Sequence, residues 1–177
     1  FWNRTGLIVS TSYLFLTLFV QSIVMNKFEK QLEENAISYQ EIVVKPSPFN
    51  IILWTTNIKV KDGYYIGDYS FFDTKPIQFQ FIPKQNELIS NIEDAAVIQQ
   101  LKRISEGWYC ITQKENQLFF NDLRFGVMNA DKNDMQFSFS YHITEENGEV
   151  KAAELPNKNR KEAKKLLGKL WVRLWGN

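Results

Sequence analysis

The chain has 177 residues, of which 44% are hydrophobic, and it carries 21 Lys and Arg against 20 Asp and Glu. This length suits one domain with an accessory segment, and the net charge of +1 argues against binding to nucleic acid. One Cys and one His exclude an internal disulfide and the usual zinc site. Because the chain begins with Phe1 rather than Met, we expect it to be part of a longer protein.

The first predicted element is a helix long enough to cross a membrane. No charged residue occurs between Arg4 and Lys27, and residues 6–25 would span about 30 Å of hydrocarbon. Three polar residues share one face of this helix: Ser10, Thr17 and Gln21. Such a stripe is typical of membrane helices that contact neighbouring helices. The alternative is a core helix of a soluble domain, but its water-facing stripe would usually carry Lys or Glu. We predict a last transmembrane helix at 1–26 and a soluble domain at 27–177.

The soluble domain shows strand patterns separated by turns and one helical pattern. The predicted strands are 42–44, 51–60, 64–71, 77–81, 108–113, 117–121 and 135–143. Lys61-Asp62-Gly63 is typical of a hairpin turn, and residues 91–105 show the apolar period of a helix that ends before Gly107. We predict an α+β fold, mostly an antiparallel meander with one inserted helix, between the transmembrane-type helix and a C-terminal amphipathic helix.

That last helix, within residues 157–177, is basic on one side and apolar on the other. Its apolar residues recur at helical spacing: Ala163, Leu166, Leu167, Leu170, Trp171, Leu174 and Trp175. From 156 to 177 there are seven basic residues and one acidic residue. One interpretation is a helix packed on the domain with a solvated basic face. The other is an interfacial helix whose Trp and Leu enter the headgroups while the lysines meet anionic lipid. Membrane lipid is therefore an expected partner.

Three segments of the soluble domain resemble a known family. They are PSPFNIILW at 46–54, YYIGDYSFFD at 64–73 and NDLRFG at 121–126. Together they resemble the inner-membrane-bound, metal-dependent hydrolases of bacteria, also described as LexA-binding, inner membrane-associated hydrolases. The resemblance spans about 28–126, and the preceding helix is similar to the family's last membrane span. It implies a divalent metal held by a histidine-rich signature in an upstream membrane portion, and it places no metal site in this chain.

The best candidates for chemistry are Asp122 and Arg124. In an extended segment these two side chains point to one face, where an acid beside an Arg could position a water or hold a phosphate or carboxylate. The alternative is a structural ion pair at a strand end, with Gly126 allowing the turn.

Candidates for substrate binding are Asn50, Trp54 and Asn121. The alternatives are that Asn50 fixes the turn after the prolines and that Trp54 belongs to the core. Asp68 and Asp73 are candidate metal ligands only if they converge with Asp122, since a carboxylate cluster suits Mg²⁺ or Mn²⁺; otherwise they are solvated turn acids.

Two further residues carry weaker expectations. His142 lies opposite the aromatic face of its strand, and we expect it to be exposed. Cys110 and His142 satisfy the residue count of a nucleophilic site, but nothing around them in the sequence indicates one.

Three hypotheses follow for function, in this order. The chain is an accessory domain of a hydrolase whose active site lies upstream, shaping access or binding substrate. Alternatively, it is a membrane-tethered interaction module with no catalysis of its own, which recruits a soluble protein. The third is a self-standing hydrolase that uses Asp122 and Arg124. The resemblance implies a bacterial inner membrane, and the lone thiol and the basic tail favour the cytoplasmic side for the soluble domain. We do not expect the chain to be catalytic alone.

Overall fold

The computed structural model describes residues 2–48, 50–129, 135–146, 148–156 and 160–176. A long helix, α1 (Trp2–Glu34), comes first. The first sheet consists of β1 (Glu41–Pro46), β2 (Leu53–Val60), β3 (Gly63–Ser70) and β4 (Phe79–Pro83), antiparallel and in that order. A 3₁₀ turn (Asn86–Ile89) and α2 (Ala96–Ile104) follow.

The second sheet is built the same way from the rest of the chain. Its strands are β5 (Tyr109–Lys114), β6 (Gln117–Asn129), β7 (Gln136–Glu146) and β8 (Glu149–Glu154), again antiparallel and in chain order. The last element is α3 (Arg160–Leu174). The predicted α+β class, with a long apolar helix first and a short helix last, is confirmed.

The core has three parts, which place the elements in four layers. Tyr64, Ile66 and Ile82 of the first sheet pack against Trp108, Cys110 and Leu123 of the second. The outer face of the first sheet is covered by α1, and the outer face of the second by α2. The layers are stacked in the order α1, first sheet, second sheet, α2. Successive side chains of a strand point to opposite faces, and because both faces of each sheet are apolar here, each face has to be covered by another layer.

α1 has two halves with different surroundings. In its second half Val24, Phe28 and Leu32 recur every four residues and are fully buried, so this half is a packed helix of the domain. In the first half the large apolar side chains are exposed: Leu7, Ile8, Val9, Tyr13, Leu14, Phe15, Leu16, Leu18 and Phe19. The helix is long and apolar enough to cross a membrane, and only 6% of its most apolar stretch is buried.

The first half of α1, residues 2–19, is called the free half here, and it leaves the domain at one end of the first sheet. At this end of the sheet, the start of β2 (Leu53) pairs with the last residue of β3 (Ser70). We call this row of strand ends the Ser70 edge. Nε2 of Gln21 donates to the carbonyl of Val44, near the end of β1, at 3.0 Å. The chain after α1 joins the opposite end of the sheet, where β1 begins. Val20 still packs on the core, and residues 2–19 project beyond the Ser70 edge.

Several details differ from the sequence expectation. The strands form two packed sheets rather than one meander, and β6 runs on to Asn129 where a strand ending at 121 was predicted. β8 was not predicted, because its sequence EVKAAE has little strand propensity and is held by pairing with β7. Residues 91–95 form turns rather than the first part of a helix.

Candidate functional site

The NDLRFG segment forms a wide bulge in the middle of β6. Asp122 pairs with Phe139 and Val127 with Phe137, so residues 123–126 lie opposite the single residue Ser138. Gly126 has a φ of +76°, a conformation that favours glycine. The expectation that Gly126 ends the strand in a turn is therefore wrong, because β6 continues past the bulge.

Three side chains satisfy the carbonyl groups that the bulge turns away from the sheet. Nδ2 of Asn57 donates to Leu123 O (2.8 Å), Nζ of Lys45 to Arg124 O (2.7 Å), and Oγ of Ser138 to Phe125 O (3.1 Å). Asn57 and Lys45 belong to the first sheet and Ser138 to the second. The bulge thus adds polar contacts between two sheets whose buried interface is largely apolar.

Asp122 and Arg124 share a face of β6 and form a closed ion pair there. Arg124 Nη2 lies 2.7 Å from Asp122 Oδ2, Arg124 Nε donates to Oδ1 at 3.2 Å, and the Arg124 backbone N–H donates to Oδ1 at 2.9 Å. Asp122 is 4% exposed, and its hydrogen bond raises the pKa of Arg124. Both carboxylate oxygens thus already accept hydrogen bonds from Arg124.

Asn121 is equally well satisfied within the second sheet. It is 1% exposed; its Nδ2 donates to Thr112 Oγ1 at 2.9 Å, and its Oδ1 accepts from Ser140 Oγ at 2.7 Å. These three residues lie on adjacent strands, so the amide links β5, β6 and β7. Its place is structural rather than one that faces a ligand.

Asn50 and Trp54 also serve the local backbone. Oδ1 of Asn50 accepts from the backbone N–H groups of Ile52 (3.0 Å) and Leu53 (2.7 Å). Trp54 is fully buried and donates its ring N–H to Ile51 O at 2.8 Å. The double-proline segment is therefore a turn fixed by an amide and leads into a core tryptophan.

Asp73 is a buried acid with a partner far along the chain. Its side chain is 2% exposed and accepts two hydrogen bonds from Arg173 of α3, at 2.5 and 2.7 Å. The expectation of a solvated turn acid is wrong for this residue. Asp68 Oδ1 accepts from Thr55 Oγ1 at 2.8 Å, within the first sheet.

The candidate metal ligands do not meet. Asp68 and Asp73 belong to the end of β3 and the loop after it, whereas Asp122 lies in the second sheet. Among the residues that the structure describes, no three Cys, His, Asp or Glu side chains gather as a metal centre would require. The side chains present thus do not fit a divalent cation.

Cys110 and His142 do not form a nucleophilic pair. They lie on β5 and β7, with β6 between them. Burial raises the pKa of the Cys110 thiol to about 12, so the reactive thiolate is scarce at neutral pH. His142 is half-buried rather than fully exposed, because its ring stacks on Phe119 with centroids 5.2 Å apart.

An open cleft of about 530 Å³ lies elsewhere, beside the end of α1. It is lined by Gln31, Glu34, Asn35, Ile37, Tyr65, Pro76, Ile77, Gln78 and Phe79. None of the candidate residues named from the sequence lines it.

Two hydroxyls in the first half of α1 are hydrogen-bonded within the helix itself. Ser10 Oγ donates to Leu7 O at 3.0 Å, and Thr17 Oγ1 donates to Tyr13 O at 2.9 Å. Hydroxyls that bond inside their own helix leave no unsatisfied donor in an apolar solvent. Gln21, the third member of the predicted polar stripe, is used by the domain instead of a neighbouring helix.

No protein-family model, curated protein or solved structure matches the chain.

Proposed function

We propose that the chain is the membrane-anchored accessory domain of an inner-membrane, metal-dependent hydrolase, with its catalytic metal held upstream and its own soluble part on the cytoplasmic side. The observation that carries this proposal is a contrast within one molecule. The free half of α1 exposes a continuous apolar surface, while the polar residues of the family-like segments are occupied inside the domain.

The membrane part of the proposal rests on the hydrophobic effect. Phe15 is 69% exposed and Phe19 66% exposed, in the middle of a helix with no charge from residue 5 to residue 26. Moving one such side chain from water to an apolar medium contributes about 2 kcal/mol. Nine large exposed residues in this half make hydrocarbon the favourable solvent.

The accessory part rests on chemistry that the candidate residues do not offer. A general base or nucleophile must have a free lone pair within reach of substrate. The carboxylate oxygens of Asp122 accept hydrogen bonds from Arg124. The amide oxygen of Asn50 accepts from the backbone, and that of Asn121 accepts from Ser140. These residues build the turn and the bulge on which the domain depends.

A second candidate function, a tethered interaction module, is favoured by one observation. Phe125 is 60% exposed and its ring lies 4.7 Å from that of Phe139, beside the Asp122–Arg124 ion pair. Aromatic side chains and arginine are enriched at protein contact sites, and here an exposed Phe packs on a half-buried one beside Arg124.

The test compares the chain alone with the longer protein that carries the upstream membrane portion. Both are reconstituted in vesicles and assayed against phosphate and acyl esters, with and without Mn²⁺ or Zn²⁺. We expect metal-dependent hydrolysis only in the longer protein, and no hydrolysis by the chain alone.

Two other outcomes contradict this proposal. Hydrolysis by the chain alone, abolished by Asp122→Asn, would make the domain itself the enzyme. Metal-loaded longer protein that hydrolyses nothing would leave the interaction module as the better account.

A further inference from the structure

The exposed surface of α3 lies at the same end of the domain as the free half of α1. Ser70 Oγ donates to Leu174 O at 2.5 Å, in a buried position, and Arg173 bonds the carboxylate of Asp73. Gly176, at a φ of +96°, lies against the backbone of Phe72 without room for a Cβ. These contacts fix the C-terminal end of α3 to the Ser70 edge.

The fixed end of α3 and the end of β3 together carry a group of aromatic rings, all of them exposed except the half-buried Tyr69. Phe72 stacks on Trp175 with centroids 5.4 Å apart, and Trp171 meets Trp175 edge-on at 6.0 Å. Phe71, in the same loop as Phe72, contacts the ring of Tyr69 at 5.5 Å. We call these five rings the aromatic group.

The aromatic group is continued along α3 by exposed aliphatic side chains. Trp171 and Trp175 are 63% and 58% exposed, Leu167 is 57% exposed and Leu170 38% exposed. Within residues 167–176, only Leu174 is buried. A soluble monomer rarely leaves such a continuous apolar surface uncovered.

We propose that the aromatic group and the apolar face of α3 lie in the headgroup region of the same bilayer that α1 enters, as a second contact between the domain and the membrane. The occupant is lipid because of continuity: α1 carries hydrocarbon-compatible side chains past the Ser70 edge, where the aromatic group is also placed. Trp rings with one apolar and one polar end favour that depth of a bilayer.

The basic charge of the C-terminal segment favours anionic lipid. The sequence from 156 to 177 carries seven basic residues and one acidic residue, and Arg173 among them bonds Asp73. Basic residues beside an apolar helix face attract anionic headgroups. Because α1 already holds the domain at the membrane, this contact is intramolecular in effect and loses little further entropy. The contact would fix the orientation of the domain, which goes beyond the proposed accessory role.

The test places one fluorophore on α3 of the complete chain. Cys110 is buried, so a cysteine introduced by Leu167→Cys is the accessible thiol for a polarity-sensitive dye. The labelled chain is reconstituted into phosphatidylcholine vesicles with and without phosphatidylglycerol, some of whose acyl chains carry spin labels. A matched label at Lys169→Cys lies about 200° further round the helix and is also exposed.

We expect the dye at 167 to shift to the blue and to be quenched by the spin-labelled lipid in anionic vesicles, and the dye at 169 to be quenched less. The double substitution Leu170→Ser with Trp171→Ser should remove the quenching at 167. Leu155→Ser, which changes an exposed leucine outside α3, should leave it unchanged.

Three results would overturn the inference. The dye at 167 could stay in water in both vesicles, it could be quenched equally with and without anionic lipid, or it could be shielded from aqueous quencher without lipid quenching, as a protein partner or second copy would cause. In each case the chain remains in the vesicle fraction. Loss of the chain from that fraction would instead count against the proposed anchor, so the two failures are distinguishable.

Discussion

Asn50, Asn121 and Asp122 show how the polar residues of a small domain are used inside its own fold. Asn50 and Asp122 accept hydrogen bonds from backbone N–H groups at a turn and a bulge, whereas Asn121 bonds the hydroxyl groups of Thr112 and Ser140 on the neighbouring strands. A buried polar group without a partner is costly, so such residues are tightly constrained without touching a ligand.

Replacing Asp122 with Ala should destabilise the domain. The change leaves the Arg124 guanidinium and backbone N–H without their acceptor, in a position that is three-quarters buried. We expect the free energy of unfolding, measured by urea denaturation in detergent, to fall by about 2 kcal/mol.

Lys151→Ala provides the matched control, because Lys151 pairs with Glu146 and Glu149 at the surface. Exposed pairs contribute about 0–1 kcal/mol, so the control should change little. Equal stability of the two variants would show that the Asp122–Arg124 pair is not structural.

For individual residues, the sequence predicted only roles that depend on neighbours a few positions away. The turn role of Asn50 and the core position of Trp54 could be anticipated, because proline spacing and side-chain size act within a few residues. The ion pair of Asp73 with Arg173 could not be, because its partner lies 100 residues away and nothing in the intervening sequence marks it.

Among the elements, β6 determines how the two sheets are joined. Its bulge presents three carbonyls to donors from both sheets, and the strand can resume only because Gly126 adopts a positive φ. The bulge interrupts the alternation of apolar and polar residues by which a strand is predicted from sequence. For this reason β6 was predicted to end at 121.

Gly126→Ala should strain the bulge. A Cβ at this position meets nothing within 4 Å, so the cost is the φ of +76° itself. We expect a loss of about 1 kcal/mol in the free energy of unfolding. The control is Gly168→Ala, at a helical position of α3 with equal space, where alanine should not lower stability. If the unfolding midpoint of the Gly126→Ala variant equals that of the unsubstituted chain, the role assigned to Gly126 in the bulge is contradicted.

On the scale of the whole molecule, the two halves of α1 have different surroundings. One half packs against the first sheet, the other exposes large apolar side chains over a stretch long enough to cross a membrane, and α3 meets the domain at the Ser70 edge. The helix, its length and its apolar run could be predicted because they are local properties. The shared edge could not, since it depends on strand register and on contacts made across the fold.

Cysteine accessibility along α1 tests the central claim most directly. Single cysteines at Val9, Leu14 and Phe19, and one at Asn116 on the β5–β6 turn, are exposed to a membrane-impermeant maleimide in vesicles, with buried Cys110 left in place. We expect positions 9, 14 and 19 to react only after detergent is added, and 116 to react in vesicles whose domain faces outward. Equal reaction at all four positions, in a chain that stays monomeric without lipid or detergent, would contradict the membrane-anchored domain.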